Sequence, residues 1–298
     1  MKKYFKNLFI PTFILFSILS SSAKAEKKLL KIGAIPDQNQ EILDRRFNLL
    51  SKHLSKKLNV KVKYIPVTNY VAAVTGFRTN NLDLVWFGGL TGVQARLQTP
   101  NSIVIAQRDI DKRFKSVFIV NKKLKLNPAE ELSDLKNLKN LRFTFGSENS
   151  TSGRLMPEYF LNMAGIKTSD FKGGKAGFSG SHDATIALVN SGAYEAGSLN
   201  KQIWEKNLID YPKRTKNIDV FFVTSNYVDY HWLAQGDLDQ KFYYGFTKKL
   251  KKAILDLNEN NYTDKIILEM FNAKKFINSD AKQYEKIEEI GRKLKKIR

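Results

Sequence analysis

Residues 148–157 read Glu-Asn-Ser-Thr-Ser-Gly-Arg-Leu-Met-Pro, and their three consecutive hydroxyl residues lie between a predicted strand and a predicted helix. The apolar run at residues 141–145 is typical of a buried strand, and residues 155–163 have the spacing of a helix. This order brings backbone N–H groups and the hydroxyls of residues 150–152 to one point, which faces the positive end of the helix dipole. The arrangement predicts an anion-binding site. The alternative is an ordinary helix cap, since serine and threonine commonly begin helices.

The first 25 residues are typical of a signal peptide. Lysines within residues 2–6 form a basic start, residues 8–19 are largely apolar, and residues 23–25 (Ala-Lys-Ala) fit the small-x-small cleavage pattern. We therefore expect cleavage after about Ala25 and export of the soluble remainder to the periplasm. The alternative is a short N-terminal anchor, although the apolar run is too short to span a membrane comfortably.

The composition excludes several kinds of site. The chain contains no cysteine, so disulfides, thiolate metal sites and a cysteine-linked lipid anchor are excluded. The histidines are His53, His182 and His231, without metal-ligand spacing, so no metal site is expected. Walker and dinucleotide glycine motifs are absent, so no cofactor is expected either. The net charge of +21 comes mainly from lysines spread along the chain, which favours a solvated surface over a nucleic-acid interface.

Predicted strands and helices alternate in two series along the chain. The first series has strands at residues 29–35, 60–67, 82–87, 103–107 and 114–120. The second series has strands at residues 141–145, 195–199 and 220–224. This order predicts an α/β fold of two lobes, each a mainly parallel sheet flanked by helices. A ligand cleft is expected between the lobes, beyond the carboxyl ends of the strands.

The chain is expected to pass between the lobes twice, near residues 121–123 and 224–226. The predicted division is a signal peptide at 1–25, one lobe at 26–122 and 226–298, and a second lobe at 123–225. No Gly/Ser-rich or low-complexity linker separates these parts. We therefore expect short, strand-like hinges instead of a flexible tether.

Three further segments place chemically useful side chains near the expected cleft. Tyr70 follows the second strand, although it could equally be an aromatic that packs in the core. His182 lies at a predicted helix start, where an imidazole could donate to an anion, the alternative being a structural histidine. Asp229 lies among aromatic residues, and a buried carboxylate there needs a partner such as the O–H of a protonated oxyanion. An enzyme is not expected, since no Gly-x-Ser-x-Gly motif is present.

The hydroxyl segment also carries a resemblance to a known family. Residues 149–153 (Asn-Ser-Thr-Ser-Gly), 84–90 (Leu-Val-Trp-Phe-Gly-Gly-Leu) and 180–184 (Gly-Ser-His-Asp-Ala) resemble the phosphonate/phosphite-binding proteins of ABC importers. These are type II periplasmic binding proteins, and the resemblance runs from about Leu30 to the end of the chain. It implies ligand-binding roles for Ser150, Thr151, Ser152, His182, Tyr70 and Asp229.

Phe87 and Gln202 are also expected to line the ligand site, and both depart from the family pattern. Phe87 stands where the motif has a tyrosine, so a hydroxyl donor is missing. Gln202 stands where the resemblance places a carboxylate for an aminoalkyl ammonium group. The aminoalkylphosphonates should therefore be poor ligands, and a smaller oxyanion is expected.

The function implied by the resemblance is a periplasmic receptor that delivers phosphite, methylphosphonate or a related oxyanion to an ABC permease. The receptor is expected to be a monomer that binds no nucleic acid. Residues 87–95 and 106–109 also resemble a subgroup associated with selenate, so selenate or sulfonate remains an alternative ligand. A less favoured alternative is an exported enzyme on the same fold.

Overall fold

The computed structural model describes Met1 and residues 28–297. Apart from Met1, the predicted signal peptide at residues 1–25 and its cleavage point lie outside the described residues. Within the described part of the chain, every helix is too short or too polar to cross a membrane.

The described chain alternates between strands and helices, as the sequence predicts. The strands are β1 (Leu29–Ala34), β2 (Lys61–Tyr64), β3 (Leu84–Phe87), β4 (Ile103–Arg108), β5 (Ser116–Asn121), β6 (Phe143–Phe145), β7 (Gly177–Phe178), β8 (Ala196–Asn200), β9 (Ile218–Val223), β10 (His231–Ala234) and β11 (Phe276–Asn278). The helices are α1 (Gln40–Leu58), α2 (Tyr70–Arg78), α3 (Gly89–Gln98), α4 (Met156–Met163), α5 (His182–Ser191), α6 (Lys201–Asp210), α7 (Leu238–Lys241), α8 (Phe246–Leu255), α9 (Tyr262–Met270) and α10 (Glu285–Lys293).

Side-chain caps fix where several helices begin. The Asn69 side chain accepts a hydrogen bond from the Ala72 N–H, and the Ser181 side chain accepts one from the Ala184 N–H. Such caps satisfy backbone donors that have no partner inside the helix. As a result, Tyr70 and His182 are the first residues of α2 and α5.

The first sheet is mixed and has the strand order β11-β4-β10-β3-β1-β2. Strand β1 pairs in parallel with β2 and β3, whereas β10 runs antiparallel between β3 and β4. Strand β11 is antiparallel to β4 and forms the outer edge of this sheet. The core of this lobe includes Trp86, which packs against Trp232 and Phe271.

The second sheet has the strand order β7-β6-β8-β5-β9, and β5 runs antiparallel to both of its neighbours. The predicted boundary at residue 122 assigns β5 to the first lobe, which is wrong, because both strands that pair with β5 lie in the second sheet. The alternating apolar residues of β5 predict a strand but do not say which sheet it joins. The first crossing therefore lies earlier, within residues 109–115.

The two crossing segments lie side by side between the sheets. Phe114 and Tyr227 exchange backbone hydrogen bonds of 2.8 and 3.0 Å, which form an isolated antiparallel bridge. The second crossing follows β9, close to the predicted residues 224–226. The predicted two-lobed α/β arrangement is thus confirmed, although both sheets are mixed where the sequence predicts mainly parallel ones.

Candidate functional site

The hydroxyl segment forms a widened helical turn between β6 and α4. Residues Thr151–Leu155 make a π-helical turn, in which the Ser150 carbonyl accepts a hydrogen bond from the Leu155 N–H at 2.9 Å. The Ser150 Oγ accepts a second bond from the Gly153 N–H at 2.9 Å. Ser150 is therefore a helix cap, and the helical turn begins before the predicted residue 155. Single π turns at helix starts are frequent at functional sites.

The next two hydroxyls do not cap their own helix. Thr151 Oγ1 accepts a hydrogen bond of 3.0 Å from the Leu90 N–H, at the start of α3 in the first lobe. Ser152 is 1% exposed, and among the described residues its Oγ has no hydrogen-bond partner. A buried hydroxyl without a partner is costly, so such an atom normally has a bonding role. Ser152 Oγ is therefore available to a bound group.

Asp229 meets the hydroxyl segment from the first lobe. Its Oδ1 accepts a hydrogen bond of 2.9 Å from the Gly89 N–H, while Oδ2 is buried without a partner in the part of the chain that the structure describes. A Cβ added at Gly88 would lie 3.1 Å from Thr151 Oγ1 and 3.3 Å from Asp229 Oδ1, so the lobes approach closely here. Burial raises the pKa of Asp229 to about 7, although the Gly89 N–H opposes the rise.

Tyr70 adds a second unpartnered polar atom from the first lobe. The side chain is 2% exposed, and its Oη has no hydrogen-bond partner within residues 28–297. Burial raises the pKa of Tyr70 well above its ordinary value, and the negative charge of Asp37 adds to this effect. The Ser150 hydroxyl interacts with the phenol and lowers its pKa. The phenol therefore lies beside the hydroxyl segment.

His182 approaches the same segment from α5. A Cβ added at Gly153 would lie 3.3 Å from His182 Cε1, so the imidazole borders the π turn. Burial lowers the pKa of His182 to about 4, so the ring is neutral at ordinary pH. Its Nδ1 accepts a hydrogen bond of 3.4 Å from the Asn200 N–H, which leaves the proton on Nε2. This Nε2 lies 3.4 Å from Tyr230 Oη, a long contact that a better acceptor could replace.

Phe87 and Gln202 are placed differently from the other six residues. The Phe87 ring is fully buried and packs edge-on against Phe77 of α2, with ring centroids 5.8 Å apart. Gln202 lies in the first turn of α6 and lines an outer groove together with Asp109 and Lys274. The structure thus brings Ser150, Thr151, Ser152, His182, Tyr70 and Asp229 together, whereas Phe87 lies in the core and Gln202 lies by the outer groove.

Sequence reasoning missed two residues of this region, Asp37 and Tyr230. The Tyr230 hydroxyl donates a hydrogen bond of 2.9 Å to Asp37 Oδ2, and both side chains are buried. The signal for Asp37 was its position directly after the first strand, where cleft residues are expected. Tyr230 follows Asp229 in an aromatic-rich segment and carried no signal that separates it from a core residue.

Other contacts between the lobes surround the site. Lys296 Nζ lies 3.6 Å from Glu158 of α4, and the Asn39 N–H donates to Asp183 of α5 at 2.8 Å. The His182 N–H donates to the Asp37 carbonyl at 3.0 Å. The lobes are therefore in contact on several sides of the hydroxyl segment, which is the geometry of a closed cleft.

Comparisons with known proteins show which family the chain resembles. The family described as "ABC transporter, phosphonate, periplasmic substrate-binding protein" matches residues 32–284. The probable ABC transporter phosphite binding protein PhnD1 of Prochlorococcus marinus (strain MIT 9301) is 68% identical over 296 residues, which cover 99% of each chain. The phosphonates-binding periplasmic protein of Escherichia coli (strain K12) is 30% identical over 219 residues, which cover 72% of this chain and 63% of the relative.

Solved structures show the same likeness. PhnD1 from Prochlorococcus marinus (MIT 9301) in complex with methylphosphonate has a TM-score of 0.90 and 71% sequence identity, and the match covers 91% of this chain and 99% of that chain. A binding protein component of an ABC phosphonate transporter from Pseudomonas aeruginosa has a TM-score of 0.78 at 21% identity, with coverage of 89% and 85%. The second likeness concerns the fold alone.

Proposed function

The chain belongs to the phosphonate family of periplasmic substrate-binding proteins of ABC transporters, and on this premise we propose that it binds phosphite or methylphosphonate between its lobes. The ligand would then pass to an ABC permease in the inner membrane. The proposed binding residues are Ser150, Thr151, Ser152, His182, Tyr70 and Asp229. The likeness to PhnD1, whose solved structure contains methylphosphonate, supports this choice of ligand.

The observation that carries the proposal is a set of buried polar atoms. Within the described residues, Ser152 Oγ, Tyr70 Oη and Asp229 Oδ2 are buried without hydrogen-bond partners. Each lies next to the hydroxyl segment, and leaving all three unpaired would cost several kcal/mol, at roughly 1–3 kcal/mol each. An oxyanion placed among them would accept from the two hydroxyls and face the carboxyl group.

Asp229 favours a protonated phosphorus oxyanion over sulfate or selenate. A carboxylate only accepts hydrogen bonds, so it pairs with the O–H of a monoprotonated phosphite or phosphonate and repels an anion that has no proton. With a pKa of about 7, Asp229 can also keep its own proton and donate it, which makes this preference depend on pH. We therefore propose the phosphorus oxyanions as ligands and keep selenate and sulfonate as the alternative.

The proposed lobes are residues 28–113 with 225–297 and residues 114–224. Ligand contacts from both lobes would favour the closed form, and closure would be what the permease recognises. We further propose that the signal peptide is cleaved after about Ala25 and that the mature protein is a monomer without nucleic-acid-binding or enzymatic activity.

A thermal-shift and calorimetry panel tests the proposal. The anions are phosphite, methylphosphonate, phosphate, sulfate and selenate. A thermal shift reports binding because a ligand at ~100 times its Kd stabilises the native state by about 2.7 kcal/mol. We expect phosphite or methylphosphonate to give the tightest binding and the largest shift. Tight binding of sulfate or selenate without phosphite binding would refute the proposal, and turnover of the bound phosphonate would favour the enzyme alternative.

A further inference from the structure

We infer that the C-terminal tail of the chain holds the two lobes together and slows ligand release without touching the ligand. The tail acts through two contacts between the lobes, one from Gln94 to Asn149 and one from Lys296 to Glu158, which we call the C-terminal latch. This inference rests on the proposed function. It gives a positioning role to residues outside the hydroxyl segment and outside the motifs of the sequence.

The tail that carries Lys296 is fixed to the first lobe. Helix α10 packs on α3, where the Arg96 guanidinium lies 2.8 Å from the Glu288 carboxylate. After α10 the chain turns back, and the Lys296 N–H donates to the Gly291 carbonyl at 2.7 Å. The Ile297 side chain is buried against this turn. The tail therefore has a defined position beside α3.

The first latch contact runs from α3 to the residue before the hydroxyl segment. The Gln94 Nε2 donates to the Lys296 carbonyl at 2.9 Å and to Asn149 Oδ1 at 3.3 Å. An amide nitrogen has two protons, so both bonds can be made at once. The tail thus orients the Gln94 amide towards Asn149, which lies directly before Ser150 in the second lobe.

The second latch contact is an ion pair that reaches the π turn. Lys296 Nζ lies 3.6 Å from Glu158 Oε2, and the two side chains are only 26% and 13% exposed. The same oxygen accepts a hydrogen bond of 2.7 Å from Nε of Arg154, a residue of the π turn. Because the pair is largely shielded from solvent, salt screens it less than an exposed pair. Glu158 therefore connects the tail to the turn that carries the proposed binding hydroxyls.

Both contacts depend on closure of the lobes. Gln94 and Lys296 belong to the first lobe, whereas Asn149 and Glu158 belong to the second, so opening separates each pair. Contacts made only in the closed form raise its population and with it the apparent affinity. The proposed ligand lies among buried residues and leaves when the lobes open. The latch should therefore slow dissociation and leave association, which starts from the open form, unchanged.

The test measures kon and koff by stopped-flow and Kd by calorimetry on the mature chain, with phosphite and with methylphosphonate. Lys296→Met should raise koff and Kd roughly 2- to 5-fold at unchanged kon. Gln94→Met should do the same, since it removes one hydrogen bond between the lobes. The change should be equal for the two ligands, because the latch contacts neither of them.

Lys295→Met is the matched control. Lys295 is the adjacent residue, is exposed and has no ion pair within the described residues, so its replacement removes the same charge without breaking the latch. It should leave koff unchanged, and Lys296→Arg should keep slow dissociation. In a Glu158→Gln background, Lys296→Met should have no further effect, which a merely structural role of Lys296 does not predict.

Three results would overturn the inference. Lys296→Met could dissociate no faster than Lys295→Met, the change could lie in kon alone, or it could differ between phosphite and methylphosphonate. If wild-type protein binds these ligands, such results remove only the latch. Wild-type protein that binds neither ligand refutes the proposed function and the inference together.

Discussion

Replacement of Ser152 by alanine should weaken ligand binding without weakening the fold. The Ser152 Oγ is buried and, apart from a weak interaction with the Tyr227 hydroxyl, has no hydrogen-bond partner among the described residues, so its removal should cost the fold little. In the proposed complex, this hydroxyl donates to a charged oxygen, and such a bond contributes roughly 1.5–3 kcal/mol. The affinity should therefore fall roughly 10- to 150-fold.

Ser150→Ala is the matched control, two residues away in the same turn. The Ser150 Oγ accepts from the Gly153 N–H at 2.9 Å, so its loss removes a helix cap. Loss of a cap costs about 1 kcal/mol, which corresponds to a fall of about 2–4 °C in Tm for a chain of this size. Ser152→Ala should leave the Tm of the ligand-free protein unchanged.

Calorimetry with methylphosphonate and a thermal melt without ligand separate the two effects. The reasoning is refuted if Ser152→Ala binds as tightly as the wild type. It is also refuted if Ser152→Ala lowers Tm as much as Ser150→Ala, because Ser152 would then be a structural residue.

Three further substitutions test the other proposed ligand-binding residues. Tyr70→Phe removes a hydroxyl without a partner among the described residues, so methylphosphonate affinity should fall roughly 10- to 150-fold at unchanged Tm, as for Ser152→Ala; equal affinity in calorimetry contradicts this. His182→Asn should weaken binding by the same factor at pH 6 and pH 8, since a pKa of about 4 keeps the imidazole neutral. A loss of affinity at pH 6 alone would mean that the imidazole is charged when it binds the anion. Because the pKa of Asp229 is raised to about 7, its contribution to the stability of the closed protein is lost as pH rises from about 4 to about 7. Asp229→Asn should therefore flatten Tm against pH in this window, and an unchanged slope excludes this role.

The hydroxyl segment was predictable because its signals are local. A strand, three hydroxyl residues and a helix start within about fifteen residues fix the direction of the backbone donors without any knowledge of distant contacts. The capping alternative was also correct for Ser150, while Ser152 has no capping bond. Adjacent residues of one turn thus have different roles, and only the three-dimensional structure distinguishes them.

The features that sequence reasoning missed all depend on long-range pairing. Strand β5 reads as a continuation of the first series, yet it joins the second sheet through β8 and β9. The Asp37–Tyr230 hydrogen bond joins residues 193 positions apart, so neither residue type nor spacing reveals it. The motif predicts that Phe87 lies near the ligand. Whether it does depends on which face of β3 carries its ring, and the ring packs against Phe77 of α2.

The charges around the proposed site indicate that Asp229, and not the hydroxyl segment, would distinguish between oxyanions. His182 is neutral, and the Arg108 guanidinium is engaged by Asp111, so the proposed donors to the anion are uncharged. Neutral donors accept any small oxyanion of suitable shape, since sulfate, phosphate and phosphite all present oxygen acceptors. Discrimination then requires a group that distinguishes a protonated ligand from one without a proton. In the proposed site, Asp229 supplies this property, so its replacement should change the selectivity between oxyanions.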